Sequence, residues 1–269
     1  MAYKLAAIDI DGTLLNDDYK ITEANKEALK AAEEEGVSIV LCSGRAPRSV
    51  TPLLEEIGIH GYYICHNGAV TSHSKTKEVL HEAGFLMDSV RNALNYCRKE
   101  NIHTDFCTAF DMYTESLERE DVRTMYAKYL AQPTLLADAL NIEDKLVKFT
   151  LFGTREQLDK AYTDLGLMNL PVRTLRSGPS YIDLIDQATS KGAALNNLAQ
   201  HLNISLNDTI AIGNYYNDLD MIMMAGVGVA VGNAPQDVKD KANLVVASNN
   251  ESGVAEALER LVLMNKQGV

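Results

Sequence analysis

Ile8-Asp9-Ile10-Asp11-Gly12-Thr13-Leu14-Leu15-Asn16 is the stretch on which the fold is decided. The run from Tyr3 to Ile8 that leads into it is apolar without alternation, the pattern of a strand buried on both faces of a parallel sheet. Gly12 supplies the freedom to turn sharply where that strand ends. Two carboxylates, Asp9 and Asp11, therefore stand at the carboxyl end of a strand, the edge of an open α/β sheet where ligands bind. By itself the pair suits holding a metal as well as capping a turn.

Working outward, the same pattern repeats. Thr22 caps a helix with alanines at 24, 28, 31 and 32 forming one small-residue face, and Gly36 closes it. Val37 to Cys42 is a second strand, ending in Ser43-Gly44-Arg45, with a helix beginning near Pro47. Tyr62 to Cys65 is a third, ending in His66-Asn67-Gly68-Ala69. The alternation returns late in the chain. Ser190-Lys191-Gly192 opens a helix, and Thr209 to Ile212 is a buried strand ending in Gly213-Asn214-Tyr215-Tyr216-Asn217-Asp218. Strands then follow at Val227 to Val231 and Asn243 to Val246, with a final helix from Ser252 to Leu263. Strand–helix alternation implies a doubly wound, mostly parallel sheet with right-handed crossovers, its polar loops gathered at one edge.

Between these halves the character changes. Helices over about 88–100 and 118–130 are interleaved with paired strands over about 102–114, at Lys145 to Phe152 and before Ile185, which reads as an α+β unit with an antiparallel sheet. The expected organisation is an α/β core formed by residues 1–82 and 187–269, interrupted by an α+β insert over 83–186 that serves as a cap.

The 269 residues carry a net charge of -12, which argues against partners such as nucleic acid or an anionic membrane. Any anionic substrate must then meet locally placed positive charge. Four cysteines, at 42, 65, 97 and 107, lack paired spacing and read as buried thiols of a reducing compartment. No basic-then-apolar leader and no bilayer-length apolar run are visible, so a cytoplasmic protein is expected. The glycines from Gly226 to Gly232 precede no glycine-opened helix after a first strand, and Lys191-Gly192 lacks the upstream glycine of a P-loop.

The loops together point to phosphoryl chemistry. A phosphate monoester repels an anionic nucleophile, so an aspartate can attack phosphorus only where a divalent cation and fixed positive charge neutralise both partners. Asp9 is the candidate nucleophile, and Asp11 the group that protonates the leaving alkoxide and then activates water. Ser43 offers a hydrogen bond to phosphoryl oxygens, and Lys191 places an ammonium beside the attacking carboxylate. A hard cation such as Mg²⁺ takes oxygen ligands, available from Asp9, the Asp11 backbone carbonyl, Asn214 and Asp218.

These motifs resemble those of the haloacid dehalogenase superfamily, and in particular its Cof-type sugar phosphatases with a large α+β cap (subclass IIB). The family's D-x-D-G-T-L stands intact as Asp9 to Leu14, its second motif matches Ser43-Gly44-Arg45, and its lysine motif matches Lys191-Gly192. Asn67-Gly68 matches an asparagine-glycine loop, with further similarity at Val231-Gly232-Asn233-Ala234 and Ser252-Gly253-Val254-Ala255. The resemblance implies Mg²⁺-dependent hydrolysis of small phosphorylated metabolites through a phosphoaspartate, with Gly12, Gly44, Arg45, Asn67, Gly68 and Asn217 around the substrate. Arg45 suits substrate contact and surface pairing equally. One position departs: the fourth motif usually reads G-D-x-x-N-D, and Asn214 replaces its first aspartate with an uncharged amide. Two other activities remain open on this scaffold, a phosphotransferase or mutase and a weakly catalytic sugar-phosphate sensor.

Overall fold

In the computed structural model, which describes residues 3–128 and 131–264, the opening apolar run forms strand β1 (Leu5–Asp9), buried along its whole length. Helix α1 (Glu23–Glu34) follows, and the Thr22 hydroxyl accepts the Asn25 amide at 3.3 Å as its cap. Its buried face is Asn25, Ala28, Leu29 and Ala32, while Ala24 is exposed and Ala31 half-buried. The expected face of four alanines is thus wrong at two positions. Residues 25, 28, 29 and 32 share one stripe, and positions 24 and 31 lie about 100° off it.

Strand β2 (Ser38–Cys42), helix α2 (Pro47–Ile57) and strand β3 (Tyr62–Cys65) continue the parallel winding. The sheet then turns back. Strand β4 (Val70–His73) pairs antiparallel with β3, and β5 (Val79–Glu82) forms the sheet edge beyond it. Only residues 66–69 separate β3 from β4, far too few for a parallel crossover. The hairpin character expected from about Thr71 therefore begins within the first sheet.

The chain divides into two compact units, residues 3–81 with 190–264, and residues 82–189. The second unit contains α3 (Arg91–Lys99), β6 (His103–Cys107), β7 (Met112–Thr114), α4 (Glu120–Lys128), β8 (Thr134–Leu135), β9 (Lys148–Phe152), α5 (Arg155–Gly166), β10 (Arg173–Gly178) and β11 (Tyr181–Ile185). Of the helix expected over 118–130, residues 129 and 130 lie outside the described residues. The sheet order is β10-β11-β9-β6-β7-β8, antiparallel except for the β7–β8 pair.

Period-two alternation explains that sheet's two faces. Phe106, Phe149, Leu151, Ile182 and Leu184 join Ala93, Leu94 and Cys97 of α3 and Leu158, Ala161 and Leu165 of α5 in one core. The opposite face carries polar groups that satisfy one another: the Tyr126 hydroxyl donates to Asp105, and the Thr150 hydroxyl donates to Asp183 at 2.7 Å.

The chain then completes the first unit through α6 (Lys191–His201), β12 (Thr209–Gly213), α7 (Leu219–Met224), β13 (Val227–Ala230), α8 (Gln236–Lys239), β14 (Leu244–Val245) and α9 (Gly253–Leu258). Its sheet reads β14-β13-β12-β1-β2-β3-β4-β5, with β1 parallel to both β2 and β12. Leu5, Ala7, Val40, Ile64 and Ala211 of the sheet pack against Leu195 and Leu198 of α6 and Met221 of α7. The parallel strands bring the loops after β1, β2, β3 and β12 to one edge. Among the described residues no helix is long and apolar enough to cross a membrane.

All four cysteines are free and buried. Burial pushes the thiols of Cys42, Cys97 and Cys107 up to about 12, which leaves almost no thiolate at neutral pH. Ellman's reagent at pH 8 should therefore report close to no reactive thiol in the native protein and four after denaturation.

Candidate active site

The site is built from the sheet edge of the first unit, where β1 places Asp9 between two neighbours reached from distant sequence. Lys191 is the first residue of α6, whose Ser190 cap accepts the Ala193 amide at 3.0 Å. Its Nζ donates at 2.6 Å both to Asp9 Oδ1 and to Asp218 Oδ1, and all three side chains are buried. Burial pushes the Asp9 carboxyl up, with Asp218 adding to the push and Lys191 opposing it, to about 7. Burial by itself lowers Lys191, but Asp218 and Asp9 more than reverse this and hold it above the ordinary lysine range as an ammonium. Removing one partner from such a buried cluster typically costs about 3–5 kcal/mol.

Asp218 differs from its expected part as a metal ligand. One of its oxygens meets Lys191, and Oδ2 accepts the amides of Asn214 and Tyr215 at 2.9 and 3.0 Å. Both oxygens have partners, so Asp218 fixes the ammonium and folds the loop after β12 around itself. Asp9 has the opposite character. Its Oδ2 is buried without a hydrogen bond of full geometry, as is Thr13 Oγ1, and the Thr13 hydroxyl acts on the Asp9 carboxyl only as a weak donor that slightly opposes the upward push.

An orphaned carboxylate oxygen costs free energy unless something binds it. The surroundings of Asp9 suit a hard cation. Gly12 adopts φ +78, and a Cβ there would lie 2.4 Å from Asn214 Nδ2, so the Asn214 amide packs directly on the turn that carries Asp9 and Asp11. Asp9 Oδ2, the Asp11 carbonyl and the Asn214 amide oxygen are the oxygens that could hold such a cation, and oxygen is the donor type Mg²⁺ takes.

The loops after β2 and β3 interlock beside this cluster. Ser43 is buried, its hydroxyl accepts the Arg45 amide at 3.1 Å, and its carbonyl accepts the Asn67 amide at 3.0 Å. His66, Asn67 and Gly68 have φ of 51, 57 and 110°, three consecutive residues in the left-handed region. Two of them pay a steric penalty for lacking glycine's freedom, which is the kind of backbone strain that concentrates at functional sites. This turn sets the Asn67 side chain against Gly44, 3.1 Å from where a Cβ would stand, and Asn67 Oδ1 accepts Asn217 Nδ2 at 3.3 Å. At Gly68 a Cβ would lie 2.2 Å from the Ser190 carbonyl, so glycine lets the start of α6 close on this loop.

Arg45 resolves toward pairing. Its Nε donates to Asp11 Oδ2 at 2.8 Å and its Nη2 to Oδ1 at 2.5 Å, a two-pronged clamp on the partly exposed Asp11 carboxylate. In the arrangement seen here, both oxygens of Asp11 are taken up by Arg45. The structure thus gathers Asp9, Asp11, Gly12, Ser43, Gly44, Arg45, Asn67, Gly68, Lys191, Asn214, Asn217 and Asp218 through a continuous set of contacts. The sequence reading assigned no part to Thr13, whose one signal was a small hydroxyl directly after the turn glycine.

Residues 6–258 match the family model of haloacid dehalogenase-like hydrolases. YxeH of Bacillus subtilis strain 168, named a candidate phosphatase, is 35% identical over 268 residues, covering 97% of this chain and 99% of its own. The crystal structure of a haloacid dehalogenase-like hydrolase from Bacteroides thetaiotaomicron superposes with a TM-score of 0.89 at 30% identity, over 96% of this chain and 99% of the other. A subclass IIB sugar phosphatase of the superfamily superposes with a TM-score of 0.82 at 26% identity, over 96% and 98%. With the sequence motifs, the core fold and these likenesses in agreement, the chain belongs to the haloacid dehalogenase-like hydrolases and is an enzyme of their phosphatase type.

Proposed function

We propose that the protein hydrolyses small phosphorylated metabolites, of the sugar-phosphate class, in a Mg²⁺-dependent reaction through a phosphoaspartate on Asp9. The observation that carries this reading is the buried Asp9 carboxylate, held by Lys191 on one oxygen and without a hydrogen bond of full geometry on the other. The likeness to a subclass IIB sugar phosphatase supports the substrate class.

Asp9, the Asp11 carbonyl and Asn214 would hold the cation. When bound, Mg²⁺ supplies positive charge that opposes the upward push on Asp9 and screens its approach to an anionic substrate. The chain's own groups do the rest. Ser43, Asn67, Asn217 and Lys191 donate to the non-bridging phosphoryl oxygens and orient phosphorus in front of Asp9. A carboxylate oxygen of Asp9 bonds to phosphorus as the ester P–O bond breaks, and the departing alkoxide takes the proton of the Asp11 carboxyl. Asp11, now a carboxylate, accepts a proton from water, whose oxygen attacks phosphorus. Phosphate leaves and the Asp9 carboxylate is restored. Arg45 occupies both Asp11 oxygens, so Asp11 can reach the leaving oxygen or the water only when the Arg45–Asp11 pair opens. The second unit, residues 82–189, is proposed as the cap that selects the substrate's leaving group.

A weakly catalytic sugar-phosphate sensor is the second reading, motivated by Asn214. With an amide there, the buried cluster of Asp9, Asp218 and Lys191 offers a cation a net charge of only about -1.

Three outcomes check these readings. The wild-type protein should release p-nitrophenol from p-nitrophenyl phosphate with Mg²⁺ and not with EDTA, and Asp9→Asn should reduce kcat by about 10⁴-fold or more. Tight binding of sugar phosphates with no release of phosphate would instead select the sensor. Asn214→Asp adds a charge worth about 4 kcal/mol to each unit of cation charge at an effective dielectric near 20, much of it offset by burying a new carboxylate. Mg²⁺ should then bind about 10- to 100-fold more tightly by titration calorimetry, and an unchanged affinity would remove Asn214 from the ligand set.

A further inference from the structure

In the turn after β1, three backbone carbonyls each receive the side-chain amide of a different asparagine. Gly12 O accepts Asn233 Nδ2 at 2.8 Å, Leu14 O accepts Asn25 Nδ2 at 3.3 Å, and Leu15 O accepts Asn249 Nδ2 at 3.0 Å. The donors are themselves linked. Asn233 Oδ1 accepts the Asn249 backbone amide at 3.0 Å, and Asn25 Oδ1 accepts the Ala255 amide at 2.9 Å. Asn249 Nδ2 also reaches Asp17 Oδ1 at 3.0 Å, just beyond the turn. Asn25 and Asn249 are 0% and 1% exposed, so their bonds to Leu14 O and Leu15 O do not compete with bulk water, whereas Asn233 lies on the exposed side of the network.

We infer that Asn233 and Asn249 are positioning residues: they form a relay from the Gly12 carbonyl to the Leu15 carbonyl that ties both ends of the reacting turn to the C-terminal segment. The inference rests on reading that turn as the reacting site. A primary amide can donate to a carbonyl and accept from a backbone N–H at once, through two atoms about 2.2 Å apart that bridge separate groups. Aspartate at 233 keeps the size and the acceptor for Asn249, but turns a carboxylate oxygen toward the Gly12 carbonyl where a donor is required. Gly12 sits at φ +78 and has no side chain to hold it, so its peptide depends on such an external bond. The adjacent Asp11 carbonyl and carboxylate move with it. Ser43, Asn67, Asn217 and Lys191 stand on other loops, and their grip on a phosphoryl group does not pass through Asn233.

The effect of losing the relay is accordingly selective. In Asn233→Asp, kcat for p-nitrophenyl phosphate should fall by about 10²-fold, the loss expected from a misplacement on the order of 1 Å. KM and inhibition by inorganic phosphate should stay within about threefold of wild type. Asn250→Ala removes a side chain that contacts Asp17 and none of the three carbonyls, and it should leave kcat unchanged. Hydrogen exchange followed by mass spectrometry reads the geometry without turnover. Amides of residues 10–16 should exchange about tenfold faster in Asn233→Asp, with residues 38–42 unaffected.

Wild-type turnover tests the phosphatase reading alone. Given turnover, a kcat for Asn233→Asp within twofold of wild type overturns the positioning role, as does an equal loss in Asn250→Ala. Unchanged exchange over residues 10–16 overturns it whether or not the chain turns over. Should Asn233→Asp fail to fold, Asn249→Asp, which keeps the backbone amide and loses the donor to Leu15, is held to the same criteria.

Discussion

A single ammonium between two carboxylates organises the first unit. Lys191 reaches Asp9 and Asp218 with no water to share its charge, and each of the three groups is tolerable inside the protein only because the others are there. The remainder of the sheet edge can be understood as the support for that placement. Parallel pairing of β1 with β12 sets Ile8 opposite Ile212 and so brings the loop of Asn214 to Asp218 beside Asp9. The cap at Ser190 fixes where α6 begins, and with it where the ammonium points. The Oδ2 of Asp218 then serves two backbone amides, which makes the same carboxylate the anchor of the charge and of the loop.

Much of this was legible before any coordinates. Uninterrupted apolar runs ending in polar or glycine-bearing loops marked the parallel strands, because burial on both faces of a sheet and a turn at its edge each demand particular residue types. Asp9 and Lys191 stood out by type and position. What could not be read was how groups share partners. Asp218 and Asn214 have similar shapes and lie four residues apart, and only the fold shows the former turned inward to Lys191 and the latter against Gly12. Arg45 was ambiguous for the same reason, since pairing with Asp11 is a property of two loops and of neither alone.

Smaller misreadings share a physical origin. The alanines of α1 suggested a face by composition, yet the buried stripe includes Asn25, a polar residue kept inside because its amide meets Leu14 O and the Ala255 amide. Hydrophobicity marks what is free to be buried; it does not mark what is buried because it is satisfied. The antiparallel β3–β4 hairpin was hidden similarly, because its connection is the strained turn of His66, Asn67 and Gly68, whose sequence signals a loop without signalling its hand.

The position of β1 between β2 and β12 also sets a schedule for the growing chain. Its first partner is synthesised almost at once, but β12 begins at Thr209, about 200 residues after β1 ends, or about 10–40 s at ordinary rates of translation. During that interval one edge of this buried strand is unpaired, and Asp9 has neither its ammonium nor its second carboxylate. The charged centre thus cannot be desolvated early. Its assembly falls late in synthesis, after the second unit has emerged complete, so the Asp9 carboxylate stays hydrated until the groups that compensate its burial exist.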